Sequence, residues 1–456
     1  MTSDLIGALR AELTTGPVLG PTDDGFAEEV AAQNTATVHT PDVAVGITSE
    51  EDAAAVVRIA AAAGVPVRVL ATGHGSAVAV TDGILVTTRR LGGVVVDPER
   101  RIATIGAGVR WAEVIAAAAG HGLAPVAGAS DNVGCIGYIT GGGLGPLART
   151  FGFSSDWARG FRLVTADGTI RTASAQNDPD LFWALRGGKA GFGIVTSMDF
   201  ELVELSTLYG GSVFFDADQI APAFTTWLDW TKTLPNAATS SAVILRLPPL
   251  EFIPEPLRGK TVLSIRFAYV GSAAEGERLF QPIRDAAPVL IDLLQEIPAS
   301  RIADIHNDPR DPGPGWDRGQ LLTDLDADFA EAFLGAAGPA QQIPFVAVEI
   351  RHLGGAVARD VPEGSAVGGR GASYTLILIG APDPSLFATV LPGAAEGVLA
   401  PLEPWKSPEH NVNYAGGLTV PGSYEACWPA ETFARLAEIR TAYDPTGIFP
   451  YGPPER

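Results

Sequence analysis

A chain of 456 residues, 46% hydrophobic and 18% charged, has the composition of a packed protein of two to four domains, not of a disordered or collagen-like one. Its 52 acidic side chains outnumber 31 basic ones, a formal charge of −21 that repels phosphate backbones and anionic lipid, so neither nucleic acid nor membrane is an expected partner. Two cysteines, Cys135 and Cys427, make no disulfide framework or CxxC site, and six histidines fall into no HxH or HExxH spacing, so no metal is expected.

The first twenty residues hold no basic segment followed by an apolar one, and no stretch reaches about 18 uninterrupted apolar residues, so a cytoplasmic protein without a membrane span is expected. Residues 43–47 read as a strand. Thr48 with Glu51 forms a capping box for a helix that Gly64 stops, and 66–71 is the next strand, completing a β-α-β unit. Short β-branched strands follow at 84–88, 93–97 and 102–108, then a helix over 111–119 ended by Gly120. Residues 161–174 form a hairpin turning at Asp167-Gly168, Asp178 caps a helix to Leu185, and 191–205 alternate as a strand. Beyond 206 the strands lengthen, at 241–249, 259–270, 345–357 and 374–380. An amphipathic helix is expected over 276–295, an irregular Pro/Gly-rich loop over 307–319 and a last helix over 431–444. The pattern predicts an α+β protein: a first domain over 1–205, a second over 206–405 and a terminal segment over 406–456.

Two segments carry chemistry. Residues 70–76, LATGHGS, directly follow a strand, and their glycines let backbone N–H groups approach a phosphate. Residues 128–152 hold eight glycines, four of them within 141–145. A loop with so little side-chain bulk lets a large planar or phosphorylated ligand lie against the backbone. The spacing at 141–146 does not fit the dinucleotide fingerprint, and no GxSxG elbow or Walker A motif is present, which argues against hydrolase and NTPase chemistry.

The order of β-α-β unit, G-H-G loop, short strands, Gly-rich loop and GFGIVT (191–196) resembles the FAD-binding domain of the vanillyl-alcohol-oxidase superfamily, and within it the berberine-bridge-enzyme-like FAD-linked oxidoreductases. The likeness covers about residues 38–205 and resumes at Asn413-Tyr414 and at YDPTGIFPYG (443–452). It implies a two-domain PCMH-type fold with a substrate domain on an antiparallel sheet flanked by helices, and a terminal segment that returns to the FAD domain. It implies an FAD cofactor, a small-molecule substrate and dioxygen as the electron acceptor. Carried onto this sequence, Ala71, Thr72, Gly73, Gly75 and Ser76 would wrap the pyrophosphate, and His74 would bond the flavin 8α-methyl. Gly128, Ser130, Asn132, Val133, Gly134, Gly137, Gly141, Gly142, Gly143 and Gly145 would lie along the isoalloxazine and ribityl. Gly193 and Val195 would meet the adenine side, and Asn413 and Tyr414 would return to the flavin. Ser130 stands where the family's second attachment needs Cys, and Tyr138 where bicovalent members often carry His, so a monocovalent, His-linked flavin is implied.

Oxidising a C–OH group also needs a residue to take the hydroxyl proton. Glu349 and Arg351 alternate onto one strand face, opposite Val348 and Ile350. The pair reads either as a plain salt bridge or as a carboxylate base poised by a guanidinium over the flavin. Tyr374, which opens the following strand, and Tyr138 are the other candidate bases. A flavin-dependent oxygenase and a flavin- or ligand-binding protein without turnover are the alternative functions.

Overall fold

The computed structural model describes residues 2–13, 15–416 and 422–452. Its first sheet has four strands in the order Val18–Leu19, Val43–Gly46, Ile84–Thr87, Val67–Leu70, the last three parallel. A parallel pair needs a crossover, supplied by the helix Glu50–Ala63, which Gly64 ends in the left-handed region at φ 64°. The cap lies one residue later than the sequence suggested. The Thr48 hydroxyl donates to Asp52 at 2.6 Å, leaving the Ser49 hydroxyl to accept from the Asp52 N–H. Val43, Val45, Ile84 and Val86 share a core with this helix, with Leu5 and Leu9 of the helix Thr2–Glu12, and with Ile448 and Phe449 from the far end of the chain. Val67 N–H donates to the Ile448 carbonyl at 2.7 Å. The Asp444 carboxylate accepts from the amides of Ile448 and Phe449, so the DPTGIFP punctuation is a turn that ties the tail to the first sheet.

The second sheet is antiparallel throughout, in the order Val94–Asp97, Ile102–Gly106, Ile194–Glu201, Ala158–Val164, Ile170–Ser174. Its inner face packs on Trp111, Val114 and Ala118 of the helix Trp111–Ala119 and on Leu181, Phe182 and Leu185 of the helix Pro179–Leu185. Asp178 precedes that helix but does not cap it: it sits at φ 46°, and its carboxylate accepts from the Tyr443 hydroxyl.

The largest sheet has eight strands. Seven follow the order Ile291–Asp292, Thr207–Asp216, Thr261–Tyr269, Ala238–Arg246, Phe345–His352, Tyr374–Gly380, Asp317–Leu322, and Gln295–Pro298 pairs with Thr207–Asp216. Every pairing is antiparallel. One face is apolar and covered by the helices Ile220–Thr231, Ala273–Ala286, Ala327–Ala337 and Leu391–Leu399. The helix expected over 276–295 ends at Ala286 because Pro288 forces Ala287 into extended backbone, and the residues beyond become edge strands. On the opposite face, register sets Arg266, Ser241 and Arg351 side by side, with Glu349 two residues along from Arg351. That face meets the Gly-rich loop through Leu144, Phe153, Leu321, Leu353 and Val357, with Tyr414 packed against them.

Candidate cofactor and active site

The strand Val67–Leu70 delivers the 71–76 loop to residues 32–34. Thr72 and Gly73 carbonyls accept from the amides of Gln33 and Asn34, and Gly73 turns at φ 73° against Ala32. His74 Nδ1 lies 2.8 Å from the Thr72 hydroxyl. Burial, helped by the Arg110 charge, pulls the His74 pKa down to about 4, so its imidazole is neutral at pH 7, the nucleophilic form.

The Gly-rich loop crosses this segment at Gly134, where a side chain would press on Thr72. It then runs through the short helix Cys135–Ile139 into Gly141–Gly145. A Cβ at Gly141 would fall 2.1 Å from Asn413 Oδ1, and one at Gly143, which has φ 84°, would fall 2.4 Å from the Tyr138 ring. The glycines therefore give their volume to neighbouring parts of the site. Asn132 accepts from Arg110 and donates to the Arg310 carbonyl at 2.6 Å, and Val133 accepts from the Trp111 amide.

A cavity of about 1300 Å³ opens beside these loops. Ala71, Ser76, Gly137, Gly193 and Val195 line it, together with Lys189, Phe192, Arg440 and the tail segment around Tyr451. The other expected cofactor residues, His74 among them, do not line it. Buried donors on this wall without protein partners point to a polar occupant: Arg440 Nη1 and the hydroxyl of Tyr424. Volume, glycine-bared backbone and orphaned donors together fit a dinucleotide-sized, polar and planar group such as FAD.

The candidate bases separate sharply. Tyr374 is on the helix-covered face of the large sheet, its hydroxyl 2.7 Å from that of Thr231 and its ring stacked on His352. It is a core aromatic, not a group facing the flavin. Tyr138 is packed edge-on to Trp111, and burial drives its pKa well up. Glu349 is 1% exposed and fully engaged. Its Oε1 accepts from Arg266 Nη1 at 2.7 Å and from the Ser241 hydroxyl at 2.8 Å, and its Oε2 accepts from Arg351 Nε at 2.9 Å. His306 Nε2 stands 3.6 Å away. Burial alone would raise the Glu349 pKa, but Arg351 and Arg266 outweigh it and hold the carboxyl well below its usual range. A carboxylate in that state is a counter-ion, and its geometry does not suit a base.

The hydroxyl that spans the two halves is that of Tyr414. It donates to the Leu144 carbonyl at 2.6 Å and accepts from Arg351 Nη1 at 3.0 Å, with the guanidinium 5.4 Å from the ring centre. Burial raises its pKa and Arg351 pulls it back. Asn413 beside it donates to the Tyr138 carbonyl at 2.8 Å. A gap of about 20 Å³ lies between Leu144 and Gly145 on one side and Ser241, Arg266, His306 and Arg351 on the other.

Sequence reasoning missed several of these groups. Arg266 alternates with Leu263, Ile265 and Phe267, a signal that was present. His306 and Lys189 sit in segments without periodicity. The 307–319 loop, read as merely irregular, straps the site: Arg310 pairs with both oxygens of Asp131 at 2.9 and 2.7 Å, its carbonyl accepts from Gln33, and Gly315 N–H donates to Asn34.

Comparisons with known proteins agree with this geometry. The family model for the FAD binding domain matches residues 41–174. The chain is 26% identical to an uncharacterized FAD-linked oxidoreductase of Bacillus subtilis, over 95% of each chain. It is 34% identical to (R)-6-hydroxynicotine oxidase of Paenarthrobacter nicotinovorans over 38% of this chain and 42% of that one, and 36% identical to an FAD-dependent monooxygenase of Penicillium roqueforti over 31% and 28%. Among solved structures, a BBE-like protein of Physcomitrella patens superimposes with a TM-score of 0.83 at 18% identity, covering 98% of both chains. The 6-hydroxy-D-nicotine oxidase of Arthrobacter nicotinovorans gives 0.83 at 22%, covering 95% and 96%. Glucooligosaccharide oxidase of Acremonium strictum, whose FAD is described as 6-S-cysteinyl, 8α-N1-histidyl, gives 0.80 at 22%, covering 98% and 97%. Residues 41–174 are thus an FAD binding domain, the chain is similar along nearly its whole length to an FAD-linked oxidoreductase, and its fold is that of the berberine-bridge-enzyme-like structures.

Proposed function

We propose that the chain oxidises a small organic substrate by hydride transfer to FAD with dioxygen as the final acceptor, and that His74 alone holds the flavin covalently. The flavin, when bound, supplies the hydride acceptor and passes the electron pair on to dioxygen. His74 supports the attachment because its ring is neutral and oriented by Thr72. Ser130 has no thiol to offer as a second link, and Cys135 is fully buried with its thiol pKa pushed well up.

The observation that carries the reading is Tyr414, one hydroxyl shared between the cofactor loop and the substrate sheet. In this reading Tyr414 first loses its own proton to solvent, and the resulting phenolate takes the substrate's hydroxyl or amine proton. Arg351 lowers the cost of the phenolate, and Glu349 fixes Arg351 in place. The strap through Arg310 ties the 307–316 segment to Asp131 and to Gln33 beside the 71–76 loop.

The test is anaerobic flavin reduction by a panel of small alcohols and amines. With a substrate found, Tyr414→Phe should slow reduction by about 10²–10⁴-fold at unchanged flavin content. A rate within about threefold of wild type, well short of that range, would remove Tyr414 from the reaction. Stoichiometric hydrogen peroxide supports the oxidase. Labelled oxygen in the product would instead make the chain an oxygenase, the class named for its Penicillium relative.

A further inference from the structure

We propose that Lys189 is the positive charge that holds the negative charge the flavin ring acquires on taking up a hydride. The proposal rests on the FAD reading above. Lys189 is one of four non-glycine residues with positive φ among the described residues, at 69°. A side chain there is strained, and glycine would avoid that strain.

The strained backbone aims the side chain. Its amide donates to the Thr140 carbonyl at 2.8 Å, and its ammonium donates to the Gly137 carbonyl at 2.6 Å and to Asn413 Oδ1 at 2.7 Å. An ammonium has three donors, so one is left over on the wall of the large cavity. No carboxylate offsets it: the ion-paired lysines among the described residues are Lys232, Lys260 and Lys406. Burial lowers its pKa to about 8, still charged at neutral pH. The neighbouring cation, Arg440, commits its Nε and Nη2 to the carbonyls of Ala190 and Gly188 and lies against the rings of Phe192 and Tyr451, leaving only Nη1 without a protein partner.

The anchors of Lys189 locate it along the ring. Gly137 precedes Tyr138 and Asn413 precedes Tyr414, the two phenols at the junction with the large sheet. His74 belongs to the other side, where the 71–76 loop meets Gly134. A ring bonded to His74 at its benzenoid end, with the substrate near Tyr414, would bring its pyrimidine end toward Lys189. Charge bookkeeping points to the same end. A bound flavin that took up a hydride would gain one negative charge, the substrate's other proton would pass to the Tyr414 phenolate, and Lys189 would be the cation facing that charge. A cation near N1 tunes exactly this electron affinity.

The test needs no substrate. FAD-loaded wild type, Lys189→Met, Lys189→Arg and Lys189→Gly are compared by sulfite affinity and by midpoint potential under photoreduction with a reference dye. Lys189→Gly relieves the backbone strain, so it guards against a folding failure in Lys189→Met. Both neutral variants should bind sulfite at least tenfold more weakly and drop in potential by at least about 30 mV, the two-electron equivalent of tenfold. Lys189→Arg should retain most of the affinity. Neutral variants within about threefold of wild type, well under that tenfold, overturn the proposal. Loss of FAD from a His74→Ala, Lys189→Met protein with sulfite affinity kept in Lys189→Met would assign Lys189 to the diphosphate and overturn it as well. A wild-type chain that takes up no FAD at all would instead defeat the underlying FAD reading.

Discussion

Replacing Glu349 with Gln separates the two roles open to that residue. The carboxylate receives Arg266, Ser241 and Arg351 at 2.7–2.9 Å and is almost wholly buried. Gln keeps the shape but has one acceptor oxygen, and its amide would face a guanidinium donor to donor. Two buried arginines then lose their shared counter-ion. Breaking a buried pair from one side costs about 3–5 kcal/mol. Spread over a sheet domain of this size, that is a fall in melting temperature of roughly 6–20 °C. The folded pKa of Glu349 is depressed, so its stabilisation is fully present above the usual glutamate range and lost only as pH falls toward the folded value. The gap between wild type and variant should therefore be constant through neutral and mildly acidic pH and close only below that range. Thermal unfolding with a double-mutant cycle against Arg351→Gln measures it: once Arg351 is gone, Glu349→Gln should cost markedly less. Unchanged stability with flavin reduction slowed by about 10² or more would refute the counter-ion account and restore Glu349 as a base.

Other expectations bear on the cofactor and on charge burial. Wild-type protein precipitated in acid should keep its flavin, whereas His74→Ala should release it; full release from wild type would exclude the covalent link. Thr72→Val removes the hydroxyl on His74 Nδ1 and should slow attachment after FAD is added to apoprotein, measured as the growth of acid-stable flavin with time; an unchanged rate would make that contact incidental. Burial raises the Asp317 pKa to about 6, with no charge among the described residues to offset it. Its folded form thus binds a proton more tightly than the unfolded one and is destabilised wherever it is charged, fully above about pH 6. Asp317→Asn should therefore raise the melting temperature at pH 7.5 and do little near pH 4. An equal gain at both values would show that charge burial is not the cause.

The sequence was most legible where one face of an element is buried. The strands of the first two sheets and the helix Trp111–Ala119 carry clear periods and stops, so their positions came within a few residues. The Gly-rich loop and the lone His74 were legible together, since close backbone approach and a nucleophile in sequence order are chemical signals. Parity failed at Tyr374. The strand Tyr374–Gly380 is apolar on both faces, so alternation could not say which one carries Tyr374, and only pairing of Tyr374 with His352 assigns it to the helix side. Glu349 was placed on the correct face beside Arg351, but the second arginine comes from Thr261–Tyr269, two strands away across the sheet. No single-strand pattern can reveal that the carboxylate is already spent. Tyr414 shows the same limit: its neighbours Leu144 and Arg351 lie 270 and 63 residues away.

The charge at this site runs against the charge of the chain. The whole molecule is at −21, yet the cavity wall balances Arg68, Lys189 and Arg440 against Asp82, Glu425 and Asp444, and the cleft sets Arg266 and Arg351 against one buried glutamate. The two facts do not conflict, because distance and burial weight them differently. Exposed acids beyond about 8 Å are screened by physiological salt, whereas pairs inside the protein are screened far less. The electrostatic environment of the site is therefore set by its own few charges rather than by the acidic surface. Such an arrangement suits a cofactor that arrives with a charged diphosphate and gains a further negative charge with each hydride. It also explains why the arginines at the cleft need Glu349. Without one carboxylate between them, two adjacent guanidiniums could not be held beside Tyr414, and the phenol would lose the neighbour that brings its proton within reach.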